Sequence, residues 1–290
     1  MRERPRPAPA ASPPAGAAAR PGSSRTHRGT TALETVSTRP AAAAVLLAGG
    51  RGQRMQGAVE DKVLVALTGQ PVFSWSLAAF ARAGIVDRLV VVYRDAAQRA
   101  RLVRLHERSL AASLPVRWVR GGTERQHSVW NALQAVAKRV EHVFIHDCAR
   151  PLVHAESLQE LARAVQRDGA ACLAHRVTDT IKRVPSGPSG LARLRLRTID
   201  RSRLWAMETP QAFARPLIVE AYREVHRLHL AITDDASAVE RTTRRGVTLV
   251  ENPHPNPKIT TPADLAWAEY LLALRPPPGA RRPAGRRRRP

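Results

Sequence analysis

Cysteine is scarce in this chain: Cys148 and Cys172 are the only two among 290 residues. Each falls in an apolar, strand-like stretch, so neither a disulfide framework nor a structural zinc site is expected, and two reduced thiols fit a cytoplasmic protein. Long apolar runs are missing as well. No window approaches the roughly 18 consecutive apolar residues of a membrane helix. Residues 1–40, rich in alanine and proline, lack the continuous apolar core of a secretory signal. Acidic residues are outnumbered, 24 Asp and Glu against 47 Lys and Arg, which leaves a formal charge of +23.

That excess invites a nucleic-acid reading, but its distribution argues otherwise. Residues 1–40 carry net +5 and residues 275–290 net +7, so 12 of the 23 charges lie in the two ends. Both ends are Pro/Ala/Gly/Arg sequence too poor in apolar side chains to offset the entropy of ordering them, and disorder is the expectation. The run Arg286 to Arg289 would hold polyanions nonspecifically and in a salt-sensitive way, yet no aromatic side chains accompany it to stack on bases. Nonspecific contact with polyanions is therefore as far as the ends lead.

What the chain does have is a phosphate grip. The apolar stretch Val45-Leu46-Leu47 runs into Ala48-Gly49-Gly50-Arg51-Gly52-Gln53-Arg54-Met55, with Lys62 following. Gly49, Gly50 and Gly52 present no Cβ to keep a phosphate from backbone N–H groups, and Arg54 and Lys62 supply positive charge. The spacing matches neither the G-x-G-x-x-G of dinucleotide folds nor the G-x-x-x-x-G-K-[ST] of a P-loop, so a different phosphate chemistry is implied.

Residues 41–274 alternate strand-like and helix-like segments, as a mostly parallel, Rossmann-like α/β sheet sandwiched by helices does. Strands are expected at Ala42–Ala48, Arg88–Tyr93, Pro115–Val119, His142–Asp147, Ala170–Ala174 and Val247–Val250, each apolar enough for burial on both faces. Crossover helices are expected at Pro71–Gly84, Asp95–Ser109, Glu124–Lys138 and Glu156–Arg167. Ligands of such sheets lie beyond the strands' C-terminal ends, where the glycine loop and the His146-Asp147 pair both fall. The stretch 175–207 breaks the pattern: His175 to Val184 and Arg193 to Asp200 alternate around a Pro/Ser/Gly turn and read as a protruding β-hairpin arm. A two-stranded ribbon is marginal alone, so a symmetric dimer is expected to order it.

Seven segments now taken together resemble one family. They are the glycine loop with Lys62, Gly121-Gly122-Thr123-Glu124-Arg125-Gln126-His127-Ser128-Val129, His146-Asp147-Cys148-Ala149-Arg150-Pro151, Val177 to Arg183, Thr209-Pro210-Gln211, Thr233-Asp234-Asp235-Ala236-Ser237 and Asn256-Pro257-Lys258-Ile259-Thr260. In this order they look like 2-C-methyl-D-erythritol 4-phosphate cytidylyltransferase, an enzyme of non-mevalonate isoprenoid biosynthesis. The resemblance implies a nucleotidyltransferase joining CTP to that polyol phosphate with release of pyrophosphate, and a homodimer. It implies Arg54, Lys62 and Lys258 as catalytic cations and Asp147 as the ligand of Mg²⁺. Ala48, Gly49, Gly50, Gly52, Gly122, Thr123, Arg125 and Ser128 would bind the nucleotide. Arg150, Thr209, Thr233 and Lys258 would meet the acceptor, with Thr180, Lys182 and Arg201 reaching in from the partner's arm.

Three positions depart from the family pattern. Arg51 stands where an aromatic or small residue is common, Asp61 where proline often precedes the lysine, and Cys148 where alanine is usual. Asp61 could pair with Lys62 and weaken its hold on the triphosphate; Cys148 reads as a small buried residue rather than a nucleophile. Ribitol 5-phosphate cytidylyltransferase shares the fold and arm and is the alternative enzyme. A molybdopterin nucleotidyltransferase has a similar glycine loop, but the arm segments and the Lys258 motif speak against it. A nucleic-acid-binding protein acting through its basic ends is the non-catalytic alternative.

Overall fold

The computed structural model describes residues 40–50, 61–185 and 194–275. Nearly all of both basic ends, the positions Arg51, Gly52 and Arg54, and the turn of the arm lie outside these residues. Within them, apolar alternation dictates the centre of the molecule. Along β1 (Ala42–Leu47), Ala42, Ala44 and Leu46 point to one apolar cluster while Ala43 and Val45 point to another, and all five are buried. That is the two-residue period of a strand covered on both faces.

Four more strands follow in chain order, separated by helices: β4 (Arg88–Tyr93), β6 (His142–Asp147) and β7 (Ala170–Arg176) repeat this character, whereas β5 (Val116–Arg120), between β4 and β6 in the chain, lies at the sheet's edge and is only partly buried rather than covered on both faces as expected. Before them a small antiparallel hairpin, β2 (Ala66–Leu67) with β3 (Gln70–Pro71), follows the glycine loop. Helices α1 (Val72–Ala83), α2 (Ala96–Glu107) and α4 (Ala155–Asp168) bury Phe73, Leu77, Phe80, Leu102, Leu158 and Leu161 against the Leu46 face. The other face is covered by α3 (Arg125–Ala135), α5 (Arg215–Arg227) and α6 (Asp235–Thr242), through Val129, Leu133, Ile218, Tyr222 and Val239. Helix α7 (Pro262–Ala273) closes a smaller cluster with Leu67, Val72, Leu152 and Ile259. Gly84 and Gly169 end α1 and α4 with φ of +62° and +79°, a region a Cβ disfavours. No helix among the described residues is long and apolar enough to cross a membrane.

The sheet runs β11-β7-β10-β6-β1-β4-β5, with β11 at Thr248–Glu251 and β10 at Trp205–Ala214. All neighbours are parallel except β10, which pairs antiparallel with both β6 and β7. From β1 the chain goes outward through β4 and β5, then returns to β6 on β1's other side. The crevice at the end of β1 is therefore the place where strand order reverses, where ligands of such sheets bind.

The expected α/β sheet with helices on both faces forms, and its expected strands and helices lie within a few residues of their positions. Sequence patterning missed β10, whose Glu208 and Pro210 discourage a strand reading; the ladder tolerates them because its register shifts between Met207 and Gln211. The arm is more irregular than expected. Its ends belong to β7 and β10, and beyond them, among the described residues, only β8 (Lys182–Arg183) and β9 (Arg197–Thr198) pair as strands. Alternation there finds nothing to bury against among the described residues: Ile181, Val184, Leu194 and Leu196 are all exposed.

Candidate active site

The ends of β1, β4, β5 and β6 open into a cavity of about 890 Å³. Ala48, Gly49 and Gly50 line it from β1, Arg94 from β4, Arg120 to Arg125 and Ser128 from β5 and the start of α3, Asp147 from β6, and Lys62 and Lys258 from loops. Five cationic side chains, Lys62, Arg94, Arg120, Arg125 and Lys258, face two carboxylates, Glu124 and Asp147, so the lining suits a polyanion.

Two glycines are dictated by close approach. A Cβ on Gly49 would stand 3.1 Å from the carbonyl carbon of Tyr93 and 3.3 Å from the nitrogen of Arg94, because β1 leaves the sheet tight against β4. A Cβ on Gly122 would overlap the Cβ of His127 and lie 3.2 Å from its carbonyl carbon. The Gly122 N–H donates to Ser128 Oγ at 3.0 Å, and Thr123 Oγ1 pairs with His127 Nδ1 at 2.9 Å, so the loop is folded onto the first turn of α3.

Asp147 is the electrostatic centre. Lys258 Nζ donates to its Oδ2 at 2.5 Å and Arg125 Nε to its Oδ1 at 3.1 Å. Burial alone would raise its pKa, but the Arg125 and Lys258 charges prevail and hold it well below the usual carboxylate range. Arg125 is fixed from behind: Nη1 and Nη2 bond both oxygens of the fully buried Asp235 at 3.0 and 2.7 Å. Tyr222 donates to the same carboxylate at 2.6 Å, and Gln211 Oε1 accepts the backbone N–H groups of Asp235 and Ala236. Sequence reasoning gave no role to Asp235, Tyr222 or Gln211. Asp235 lies beside the named Thr233, but only the folded chain shows that its partner is Arg125, 110 residues away.

Behind the cavity, Thr209 Oγ1 accepts the Asp147 N–H at 3.0 Å and contacts His146 Nδ1 at 3.2 Å. His146 is fully buried, its Nε2 is 3.3 Å from Ser76 Oγ, and burial pushes its pKa down to about 4. Burial also raises the Cys148 thiol, which agrees with its reading as packing rather than chemistry. Arg150 does not line the cavity: its Nη1 bonds the Asn256 carbonyl at 2.7 Å and so ties the loop carrying Lys258 to the end of β6, while its buried Nε has no hydrogen-bond partner among the described residues. Glu208, also buried, accepts from Asn252 and Asn256 of the same loop at 2.8 and 2.9 Å.

The structure thus brings Ala48, Gly49, Gly50, Lys62, Gly122, Thr123, Arg125, Ser128, Asp147 and Lys258 to one cavity, with Thr209 directly behind it. Thr233 is exposed just before the Asp234 cap of α6. Thr180, Lys182 and Arg201 do not line this chain's cavity; Lys182 Nζ bonds Thr198 Oγ1 at 2.6 Å, and Arg201 Nη1 bonds the Thr178 carbonyl. Asp61 has turned inward to Gln98, Val63 and Arg94. No cluster of three or more His, Cys, Asp or Glu positioned for a metal occurs among the described residues. A strand-end carboxylate beside such a cavity, as Asp147 is, is the kind of group that can share a cation with a bound phosphate.

A family model described as 2-C-methyl-D-erythritol 4-phosphate cytidylyltransferase matches residues 42–274. The chain is 43% identical over 236 residues to the enzyme of that name from Geobacillus kaustophilus, covering 80% of this chain and 97% of that one. It is 38% identical over 231 residues to the one from Prochlorococcus marinus, covering 80% and 98%. Among solved structures, 4-diphosphocytidyl-2C-methyl-D-erythritol synthase from Anaerococcus prevotii superposes with a TM-score of 0.69 at 25% identity, covering 81% of this chain and 99% of that one. The Thermus thermophilus cytidylyltransferase superposes at 0.63 with 30% identity, covering 79% and 98%. With a cation-lined crevice at the end of β1 and a match running through the whole sheet, this chain belongs to the 2-C-methyl-D-erythritol 4-phosphate cytidylyltransferase family.

Proposed function

We infer that this chain transfers the cytidylyl group of CTP to 2-C-methyl-D-erythritol 4-phosphate, releasing pyrophosphate. The observation that carries this reading is the convergence of Lys62, Lys258 and an Arg125-held Asp147 on a crevice whose glycines admit backbone to a polyanion. An oxygen of the acceptor phosphate attacks the α-phosphorus of CTP, the bond to the β-phosphate bridging oxygen breaks, and pyrophosphate carries away the electron pair. Two anions must be brought together for that, and fixed cations lower the barrier most where charge builds up. Lys62 serves the triphosphate and Lys258 the incoming phosphate. The acceptor phosphate is already ionised near neutral pH, so no protein base is required.

Mg²⁺ bound to Asp147 would neutralise charge on the α-phosphate. Asp147 fits this role because its ionised carboxylate, even with one bond accepted on each oxygen, keeps lone pairs for a metal. The backbone of Gly122 and Thr123 is assigned to the pyrimidine edge. Arg150, Thr209 and Thr233 are assigned to the acceptor's side. Thr180, Lys182 and Arg201 are assigned to the second site of a homodimer, which also gives the exposed Ile181, Val184, Leu194 and Leu196 of the arm a surface to pack on. A cytoplasmic setting goes with two buried, free thiols.

Neither ribitol 5-phosphate cytidylyltransferase nor a nucleic-acid-binding protein is favoured, since the family match and the named relatives are methylerythritol phosphate enzymes. Purified protein supplied with CTP, Mg²⁺ and either polyol phosphate, followed by a pyrophosphate assay, tests the assignment. Turnover with ribitol 5-phosphate but not with the methylerythritol phosphate would refute it.

A further inference from the structure

Gln98 sits at the first turn of α2, buried and far in sequence from the glycine loop it touches. Both N–H donors and the carbonyl oxygen of its side-chain amide are engaged. Nε2 donates to the Ala48 carbonyl at 3.0 Å and to Asp61 Oδ2 at 2.6 Å, and Oε1 accepts the Arg94 N–H at 2.6 Å. A flipped amide would set oxygen against oxygen at Ala48 and Asp61 and N–H against N–H at Arg94, so chemistry fixes the orientation. Asp61 is bound on its other side as well: Oδ1 accepts the Val63 N–H at 3.2 Å, and Arg94 Nη1 lies 3.4 Å from Oδ2. Asp61 and Val63 are both turned inward and buried, and Lys62 between them projects into the cavity.

We propose that Gln98 and Asp61 form a positioning strap: they join the two ends of the segment running from Ala48 to Asp61 and thereby hold Lys62 at the nucleotide's phosphates. The strap deepens the reading of the crevice as a CTP site and rests on it for the identity of the anion. Where the family resemblance leads one to expect proline, a residue held in place by its own ring, this chain has an aspartate held by hydrogen bonds. Gln98 and Asp61 touch no substrate in this account. They act through Lys62, as positioning residues.

A double-mutant cycle separates that role from general support of the fold. Gln98→Ala is expected to lower kcat/KM for CTP about tenfold in the wild-type background, as losing a buried hydrogen bond does. In a Lys62→Ala background the same change should cost less than about twofold, because the group it positions is gone. Equal losses in both backgrounds would overturn the strap. If Gln98→Ala fails to fold, Gln98→Glu places two buried carboxylates in contact, and adding Asp61→Asn should restore part of the lost kcat/KM by turning the clash into a donor and an acceptor. No recovery in the pair would likewise count against it. Hydrogen exchange in the ligand-free protein gives a readout that needs no substrate: peptides covering Ala48 and Asp61 to Leu64 should exchange faster in Gln98→Ala, and unchanged exchange would overturn the strap. If wild type fails to turn over CTP, the substrate assignment falls and the exchange result alone decides the strap.

Discussion

Lys258 and Asp147, 111 residues apart, meet at 2.5 Å at the floor of the cavity, and Arg125 holds the other oxygen of the same carboxylate. The pair is half-buried, so its charges are poorly screened, and removing one partner leaves the other desolvated without its counter-charge. Asp147→Asn keeps the shape and removes the charge. We expect turnover to fall on the order of 10²-fold or more, the size associated with losing a charge contact in the transition state, and the Mg²⁺ concentration needed for half-maximal rate to rise. A magnesium titration of the variant checks this; an unchanged requirement would show that the metal does not use this carboxylate.

Base selection should depend on the backbone at Gly122. Because an added Cβ there collides with His127, Gly122→Ala must move the loop off the first turn of α3. Wild type is expected to prefer CTP strongly over ATP and GTP, and Gly122→Ala to lose affinity for CTP by tenfold or more, consistent with the loss of one to two close polar contacts. Competition measurements with the three triphosphates would show it, and equal use of a purine nucleotide by wild type would contradict the assignment.

The six strands and four crossover helices expected from patterning were legible because their apolar residues pack into, or against, the two core clusters on either side of one sheet. The crevice was legible because the glycine loop at the end of an apolar strand is accompanied by Arg54 and Lys62, cations that a mere turn does not need. What could not be read is what tertiary closure creates. Strand β10 hides behind Glu208 and Pro210, whose places depend on Asn252, Asn256 and a shifted register. Asp235 and Tyr222 look like surface-helix residues until α6 and α5 close over Arg125. Asp61 read as a competitor for Lys62, and only the buried amide of Gln98 shows why it turns inward.

His146 predicts how stability depends on pH. Its folded pKa, pushed down to about 4 by burial, lies below its ordinary value near 6.5. Between those values the unfolded chain binds a proton that the native state refuses, so stability falls as pH drops from about 6.5 to 4 and is fully present above that window. The contribution is about 3 kcal/mol at most. Burial lowers His142 and His226 too, which adds to the slope in the same direction. Urea unfolding at pH 7 and pH 4.5, without added metal, should show the loss, and His146→Gln should make the curve shallower. An unchanged slope in the variant would mean that His146 is not the group titrating.

The arm makes the strongest claim about assembly. Arg201 and Lys182 bond within their own arm and do not line the cavity of their own chain, while apolar side chains between them stand exposed. If the arm serves the partner, each site takes Lys62 from one subunit and Arg201 from the other. Lys62→Ala and Arg201→Ala homodimers should then both turn over poorly, by on the order of 10² for the lysine. Unfolded together and refolded as a mixture, half of the dimers carry one subunit of each kind, and each such dimer contains one doubly damaged site and one intact site. Activity should therefore return to a ceiling of roughly a quarter of wild type for a two-fold dimer. The mixing itself is checked by differently tagged subunits purified in tandem. Tagged mixed dimers that show no recovery would place Arg201 in its own chain's site, and the shared-site arrangement would have to be given up.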